Sequence, residues 1–214
     1  WMLADSRRGS LQLLAGYQYN GLEDDLAIHD FRRVIGGSSG FAIGTTLLER
    51  DQFYAVNKFY GAALGLLAST SSDRASFDVG LRLGLGNSNS KVRITGSATS
   101  SVPVVGGPDD VVTSVGGLLA LPSNIGLYEN DEFAVVPQLD VAFGYEICPQ
   151  LRAVFGYRFL YWSKVARAAE QIDPAINFSQ LDPSGVNGEV RPRFAFRMTD
   201  FWAQGISAGL DYRF

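Results

Sequence analysis

The chain has 214 residues, 46% hydrophobic, 12% aromatic and 19% charged, with 24 glycines and a formal net charge of −4. The charged share lies below the roughly 25% of soluble domains and glycine lies above its usual ~7%, while the acidic balance gives no electrostatic case for binding nucleic acid. No apolar run reaches about 18 residues, which excludes a transmembrane helix, and the single cysteine, Cys148, excludes an internal disulfide.

The first ten residues, WMLADSRRGS, lack the apolar core and cleavage motif of an export signal. Trp1 reads as the end of another element, so the sequence is expected to be the C-terminal part of a longer chain. Successive strand side chains face opposite sides, and such alternation dominates the remaining residues. LQLLAGYQYNG (11–21) sets Leu11, Leu13, Ala15, Tyr17 and Tyr19 on one side. In NKFYGAALGLL (57–67), Tyr60, Ala62, Leu64 and Leu66 oppose Phe59, Gly61, Ala63 and Gly65. FDVGLRLGLG (77–86) sets Phe77, Val79, Leu81, Leu83 and Leu85 against Asp78, Gly80, Arg82, Gly84 and Gly86. FAVVPQLDVAFGYEI (133–147) opposes Leu139, Val141, Phe143, Tyr145 and Ile147 to Gln138, Asp140, Gly144 and Glu146. LRAVFGYRFLYW (151–162) opposes Phe155, Tyr157, Phe159 and Tyr161 to Arg152, Gly156 and Arg158. FWAQGISAGLDYRF (201–214) places Ile206, Ala208, Leu210, Tyr212 and Phe214 on one parity and Gly205, Ser207, Gly209, Asp211 and Arg213 on the other.

These six segments read as strand crossings. Ser69–Arg74 and Cys148–Gln150 are short connections, whereas 23–52, 97–132 and 164–199 read as long loops. Inside them, FAIGTTLL (41–48) and VVTSVGGLLAL (111–121) read as hairpins or as extra crossings, and KVARAAEQID (164–173) as a short helix. Pro137 removes a ladder donor, which a bulge or a barrel rim tolerates. Between Gly86 and Val92 the apolar parity flips, pointing to a bulge or to an exit from the membrane.

Short turns on one side and long loops on the other are the pattern of outer-membrane barrels. A soluble β-sandwich also alternates, but its water-facing side carries Lys, Glu and Thr, whereas here that side is mostly Gly, Ala and Ser. The expected fold is therefore all-β: an antiparallel transmembrane β-barrel of outer-membrane type, a meander with short periplasmic turns and long extracellular loops, forming one domain over 1–214. Aromatic residues near strand ends, namely Tyr145, Tyr157, Phe159, Tyr161, Trp162, Trp202, Tyr212 and Phe214, are the expected interfacial girdle.

The hairpin across Cys148-Pro149-Gln150 allows a register to be derived. If Ile147 pairs with Leu151, Phe143 faces Phe155 and Leu139 faces Phe159, while Glu146 falls opposite Arg152 and Asp140 opposite Arg158. Such cross-strand pairs contribute roughly 0.2–1 kcal/mol each. With Asp78 and Arg82, these charges are expected to line the lumen. No enzyme chemistry emerges. His29 is the only histidine, it follows Glu23-Asp24-Asp25, and no serine is placed to form a triad with it. GLGNSN (84–89) lacks the third glycine of a nucleotide loop. Glu129–Glu132 and Asp109-Asp110 lack calcium-loop spacing. No metal and no cofactor is expected.

Four blocks carry a family resemblance: QFYAVNKFYGAALG (52–65), GGLLALPSNIG (116–126), GYRFLYWSKVARAAEQID (156–173) and DFWAQGISAGLDYRF (200–214). On these the chain resembles the putative β-barrel porin family seven of bacterial outer membranes, with Ala168-Ala169 standing where the family has Pro-Gly. The resemblance implies an outer-membrane location and missing N-terminal strands. It also implies a C-terminal assembly signal formed by Ile206, Ala208, Leu210, Tyr212 and Phe214, read by the barrel-assembly machinery. The expected function is passive diffusion of small solutes. The alternative is a non-conducting barrel in contact with outer-membrane lipid that works through its loops in adhesion, display or envelope structure.

Overall fold

The computed structural model describes residues 1–6, 8–36, 41–181 and 185–213. Phe214, expected in the girdle and the terminal signal, lies outside the described residues. Among those described, the strands are β1 (Met2–Ser6), β2 (Gly9–Arg33), β3 (Thr46–Ser71), β4 (Ala75–Val102), β5 (Asp110–Val115), β6 (Gly126–Cys148), β7 (Leu151–Val165) and β8 (Thr199–Tyr212). They form one antiparallel sheet ordered β1-β2-β3-β4-β6-β7-β8, and it is not closed on itself. β5 pairs with Ser97–Val102 of β4, whereas β6 pairs with Ala75–Ile94 of the same strand. β5 and β6 thus follow one another along one edge of β4.

The strands are long: β2, β3, β4 and β6 run 25, 26, 28 and 23 residues, against the usual 3–10 of globular proteins. Short turns at 72–74 and 149–150 lie at one end of the sheet, here called the near end. The connections 34–45, 103–125 and 166–198 lie at the far end. No helix of the described residues is long and apolar enough to cross a membrane.

Register stays unbroken along the full length of β2–β3, β3–β4 and β4–β6, yet the two faces exchange chemistry half-way. In the near half of β3 one face carries Tyr60, Ala62, Leu64 and Leu66, while the other carries Phe59, Gly61, Ala63 and Gly65. In the far half the first face becomes Arg50, Gln52, Tyr54 and Lys58, and the second becomes Asp51, Phe53, Ala55 and Asn57, all buried. β4 changes in the same row: Leu81, Leu83 and Leu85 give way to Asn87, Asn89 and Lys91 outside, while Gly84 and Gly86 give way to Ser88, Ser90, Val92 and Ile94 inside. Since β4 has no register shift here, the parity change near Gly86–Val92 is not a bulge. It is a change in what each face meets.

Besides a register shift between Met2 and Ala4 of β1, two bulges occur in β6–β8. One lies between Glu146 and Cys148, so Cys148, not Ile147, pairs with Leu151. The other lies between Trp162 and Val165, with Lys164 at φ 59°. Pro137 sits where the β6–β7 ladder ends at Gln138–Leu160, and just beyond it the Val135 N–H donates to Ser163 Oγ at 2.9 Å instead of to a strand partner. A residue without an N–H fits the point where the ladder stops.

The structure corrects three expectations. The long loops are shorter, because 23–33, 46–52, 97–102 and 126–132 are strand. Their alternation was masked by polar residues and by the exchange of faces. FAIGTTLL and VVTSVGGLLAL supply no extra crossing: only residues 46–48 extend β3, and β5 is a short arm on β4. KVARAAEQID is not an α-helix, since β7 runs to Val165 and only Ala169–Gln171 forms a 3-10 turn.

Inner-face positions differ in the room they leave for a side chain. A Cβ on Gly86 would fall on the Tyr60 carbonyl, whereas one on Gly16 meets nothing within 4 Å. Gly86→Val is therefore expected to destabilise the fold by about 1–3 kcal/mol through overpacking, with Gly16→Val close to neutral. Denaturant unfolding followed by tryptophan fluorescence checks this, and equal midpoints for the two variants would contradict it.

Candidate functional site

The inner face of the sheet, the one that includes Gly61, Gly84 and Asn57, divides into two zones. In the far half it is covered by segments 116–125, 166–181 and 185–198. The Lys164 bulge turns the end of β7 inward, so that Val165, Ala166 and Ala168 are buried, and Lys164 Nζ meets Glu132 at 3.2 Å. Ala166 and Ala168 join Phe53, Ala55, Val92, Ile94 and Ala120 in one apolar cluster, flanked by Phe194, Phe196 and Met198. Phe194 stacks on Tyr128 with ring centroids 3.5 Å apart.

Buried and half-buried polar side chains fix this cover. Asn57, fully buried, donates Nδ2 to the Ala166 carbonyl and accepts the Ala166 N–H on Oδ1, both at 2.8 Å, and the same Oδ1 accepts Ser90 Oγ at 2.7 Å. Asp51 accepts the backbone N–H groups of Leu118, Leu119 and Ala120 at 3.1, 2.9 and 3.1 Å. Asp24 accepts Arg167 Nε at 2.8 Å and the Ala168 N–H at 3.1 Å. Gln171 bridges the Arg167 and Arg197 carbonyls and accepts the Arg197 N–H. Asp173 accepts the Arg193 N–H at 2.8 Å and pairs with Arg191 at 3.0 Å. The Arg167 hydrogen bond holds the Asp24 carboxyl below its ordinary range, and the Arg193 N–H does the same for Asp173. Burial pushes Glu49, which pairs with Arg32, upward.

Among the described residues, nothing covers the near half of the inner face. Register places Leu14, Gly65, Arg82, Gln138 and Leu160 in one row, and Gln12, Leu67, Gly80, Asp140, Arg158 and Gly205 in the next row toward the short turns. Asp140 pairs with Arg158 across β6–β7. Glu146 stands opposite Arg152 in register, but among the described residues no ion pair joins them, and Arg152 donates to Ser76 Oγ. Asp78 and Arg82 share the face without contact, and Arg82 Nη1 donates to Gln138 Oε1 at 3.3 Å. Exposed pairs of this kind stabilise by about 0.2–1 kcal/mol, so they shape the face more than they hold it.

Of the expected girdle residues, Tyr145, Tyr157, Phe159, Tyr161, Trp202 and Tyr212 lie on the opposite, outer parity, with Tyr161 opposite Trp202. Ile206, Ala208 and Leu210 share that parity in β8. Trp162 does not belong with them. It is 1% exposed and lies on the inner face, edge-on to Phe59 at 6.2 Å, because even-numbered residues of β7 point inward. His29 is on an outer strand face opposite Arg50. Among the described residues no cluster of His, Cys, Asp and Glu could hold a metal.

Asn57, Asp51, Asp24, Gln171 and Asp173 went unnoticed in the sequence. The available signal was parity: Asp51 and Asn57 interrupt the row Phe53, Ala55, Phe59, and Asp24 interrupts Leu22, Leu26, Ile28. Asn57 also joins two of the blocks that carry the family resemblance, 52–65 and 156–173. Asn57→Ala would orphan the buried Ser90 hydroxyl and the Ala166 N–H, a cost of roughly 2–5 kcal/mol, and is expected to expose segment 166–198 to proteases. For Asp24 and Asp173 the folded-state pKa values are depressed, so their contribution is present above the ordinary carboxylate value of 3.8 and is lost as pH falls through the folded values. Cleavage within 166–198 by pepsin at graded acid pH should therefore rise below that range. A pH-independent cleavage rate would contradict this.

No curated protein and no solved structure matches the chain. The family described as putative beta barrel porin-7 (BBP7) matches residues 1–214. With an all-antiparallel sheet of long strands, short turns at one end and long connections at the other, the chain belongs to the putative beta barrel porin-7 family.

Proposed function

We propose that the chain forms the wall of an outer-membrane β-barrel that lets small solutes diffuse passively, its near half inside the bilayer. The family name implies that location. The observation that carries the reading is the exchange of faces at constant register. In the near half Leu64, Leu81, Phe155, Ile206 and Leu210 are more than half exposed, far more apolar surface than a soluble monomer shows. From Phe77 to Leu85 the outer face of β4 runs nine residues, which at roughly 3.3 Å each and a tilt near 40° spans about 23 Å, close to the ~25 Å apolar band of such barrels. Aromatic residues stand at both limits: Tyr19, Tyr60, Tyr161 and Trp202 toward the far half, Phe77, Phe143, Tyr145 and Tyr212 toward the short turns.

Unpaired strand edges do not persist in lipid, so in the membrane the β1 and β8 edges are paired, to one another or to further strands. The inner face then borders a lumen in which Gly65, Gly80, Gly84, Gln138 and the charges Asp78, Arg82, Asp140, Glu146, Arg152 and Arg158 stand among a few leucines, Leu14, Leu67 and Leu160. Segments 166–181 and 185–198 narrow the far mouth. A second reading, a non-conducting barrel acting through its projecting half, is favoured by one observation: the inner face there is filled by an apolar core.

Planar-bilayer recording on the folded full-length protein separates the two. Stepwise conductance, changed when Arg152 and Arg158 are neutralised, is expected. Silence from protein shown to be folded would move the assignment to the non-conducting reading. In addition, Leu64→Arg or Leu83→Arg, near the centre of the apolar band, should cost about 2–4 kcal/mol of stability in lipid vesicles, whereas Gln52→Arg should cost little.

A further inference from the structure

The near half of the inner face holds a niche of about 510 Å³ bounded by Leu14, Gln18, Asn20, Arg82 and Gln138, with Gly16, Ala63 and Gly65 as its floor. That volume lies within the range of small-ligand sites. The floor lacks side chains beyond a methyl, so a solute could lie against backbone. Gln18 crosses the sheet toward Gly84, where a Cβ would stand 2.6 Å from its Oε1. Gln18 is 6% exposed, its Nε2 donates to Asn20 Oδ1 at 3.1 Å, and its Oε1 has no partner among the described residues.

Among the described residues, Arg82 is the only charge in the lining. It donates to Gln138 Oε1 at 3.3 Å, and no carboxylate of the described residues pairs with it. Asp140, in the neighbouring row, is occupied by Arg158, and Asp78 lies a further row away. The niche therefore presents an unneutralised guanidinium, whose fork of donors matches a carboxylate or phosphate. The amide of Gln138 stands beside it, able to donate and to accept, whereas Asn20 lies three rows farther along the face, opposite Phe59.

We propose that this niche is a binding subsite for a small hydroxylated anion, a solute with one carboxylate or phosphate for Arg82 and a hydroxyl for the adjacent amide of Gln138. It names a substrate class for the pore and rests on that reading for its biological use. Binding itself does not require conduction. Neutral polyols lack the charge contact, and simple anions such as acetate lack the hydroxyls.

The test is isothermal titration of the folded full-length protein in detergent with glucuronate, glucose and acetate. Glucuronate is expected to bind with a dissociation constant on the order of millimolar, about tenfold tighter than glucose or acetate. Arg82→Gln should bring glucuronate down to the level of glucose, Arg82→Lys should keep part of the difference, and Lys58→Gln, which removes a cation from the outer face, should change nothing. Circular dichroism confirms that each variant is folded. Equal glucuronate affinity in the unsubstituted protein and Arg82→Gln, or no glucuronate binding at all, would overturn the subsite. Glucuronate binding by a protein silent in bilayers would sink the pore and leave the subsite, while conductance without binding would do the reverse.

Discussion

Everything in this fold depends on the pleat keeping its period of two. A strand cannot rotate its faces without a slip or a bulge, and β2, β3, β4 and β6 pair through the middle of the sheet without one. When the apolar side chains change parity between Lys58 and Tyr60, and between Leu85 and Asn87, the backbone is therefore constant and the surroundings have changed. On one side of the row Tyr19, Tyr60, Asn87, Phe133 the outer face is apolar and exposed and the inner face carries glycine. The other side requires water outside and an apolar core inside. On the proposed membrane reading, a single set of strands serves two solvents.

The far half explains why the chain needs its long connection. Its inner face is too apolar to stand open, and segments 166–181 and 185–198 are the cover. The change of direction comes from the bulge at Lys164, a residue held at φ 59°, a conformation that costs a non-glycine residue about 1 kcal/mol or more. The backbone groups freed where the strand ends are met by side chains from the opposite wall: Asn57 takes both polar groups of Ala166, and Asp24 takes the Ala168 N–H. Buried amides and carboxylates are tolerated there because each is hydrogen-bonded. Segment 116–125 is held in the same way by Asp51, whose two oxygens collect three backbone donors. In the near half the described residues supply no such cover, and charge is left to face open space.

Much of the near half was legible in the sequence because one face is uniformly apolar there. That uniformity was enough to place Phe143 opposite Phe155, Leu139 opposite Phe159, Asp140 opposite Arg158 and Glu146 opposite Arg152, though not to see the bulge that sets Cys148 against Leu151. The far half was not legible in the same way. There, both faces are mixed: Asp51 and Asn57 sit in the buried row, and Tyr54 and Val56 in the more exposed one. Alternation looks like a loop when the buried row is polar for the sake of a distant segment. Trp162 departs from the girdle because its parity, not its aromatic neighbours, sets the face it occupies. Which wall Asn57 and Asp24 would meet is a long-range fact, separated by 109 and 143 residues from their partners, and no local pattern encodes it.

The central claim is that the exchange of faces marks the boundary between lipid and water. It is tested most directly by depth-dependent quenching on the outer face of β3. Single cysteines would replace Arg50, Gln52, Lys58, Ala62, Leu64 and Leu66 in turn, in protein whose exposed Cys148 is changed to serine. Each variant would carry a fluorescent label and be folded into vesicles. The structure predicts that labels at 62, 64 and 66 are quenched by brominated lipid and protected from iodide, that labels at 50 and 52 show the opposite, and that the crossover falls between 58 and 62. Equal quenching along the strand, or a crossover displaced toward either end of β3, would contradict it.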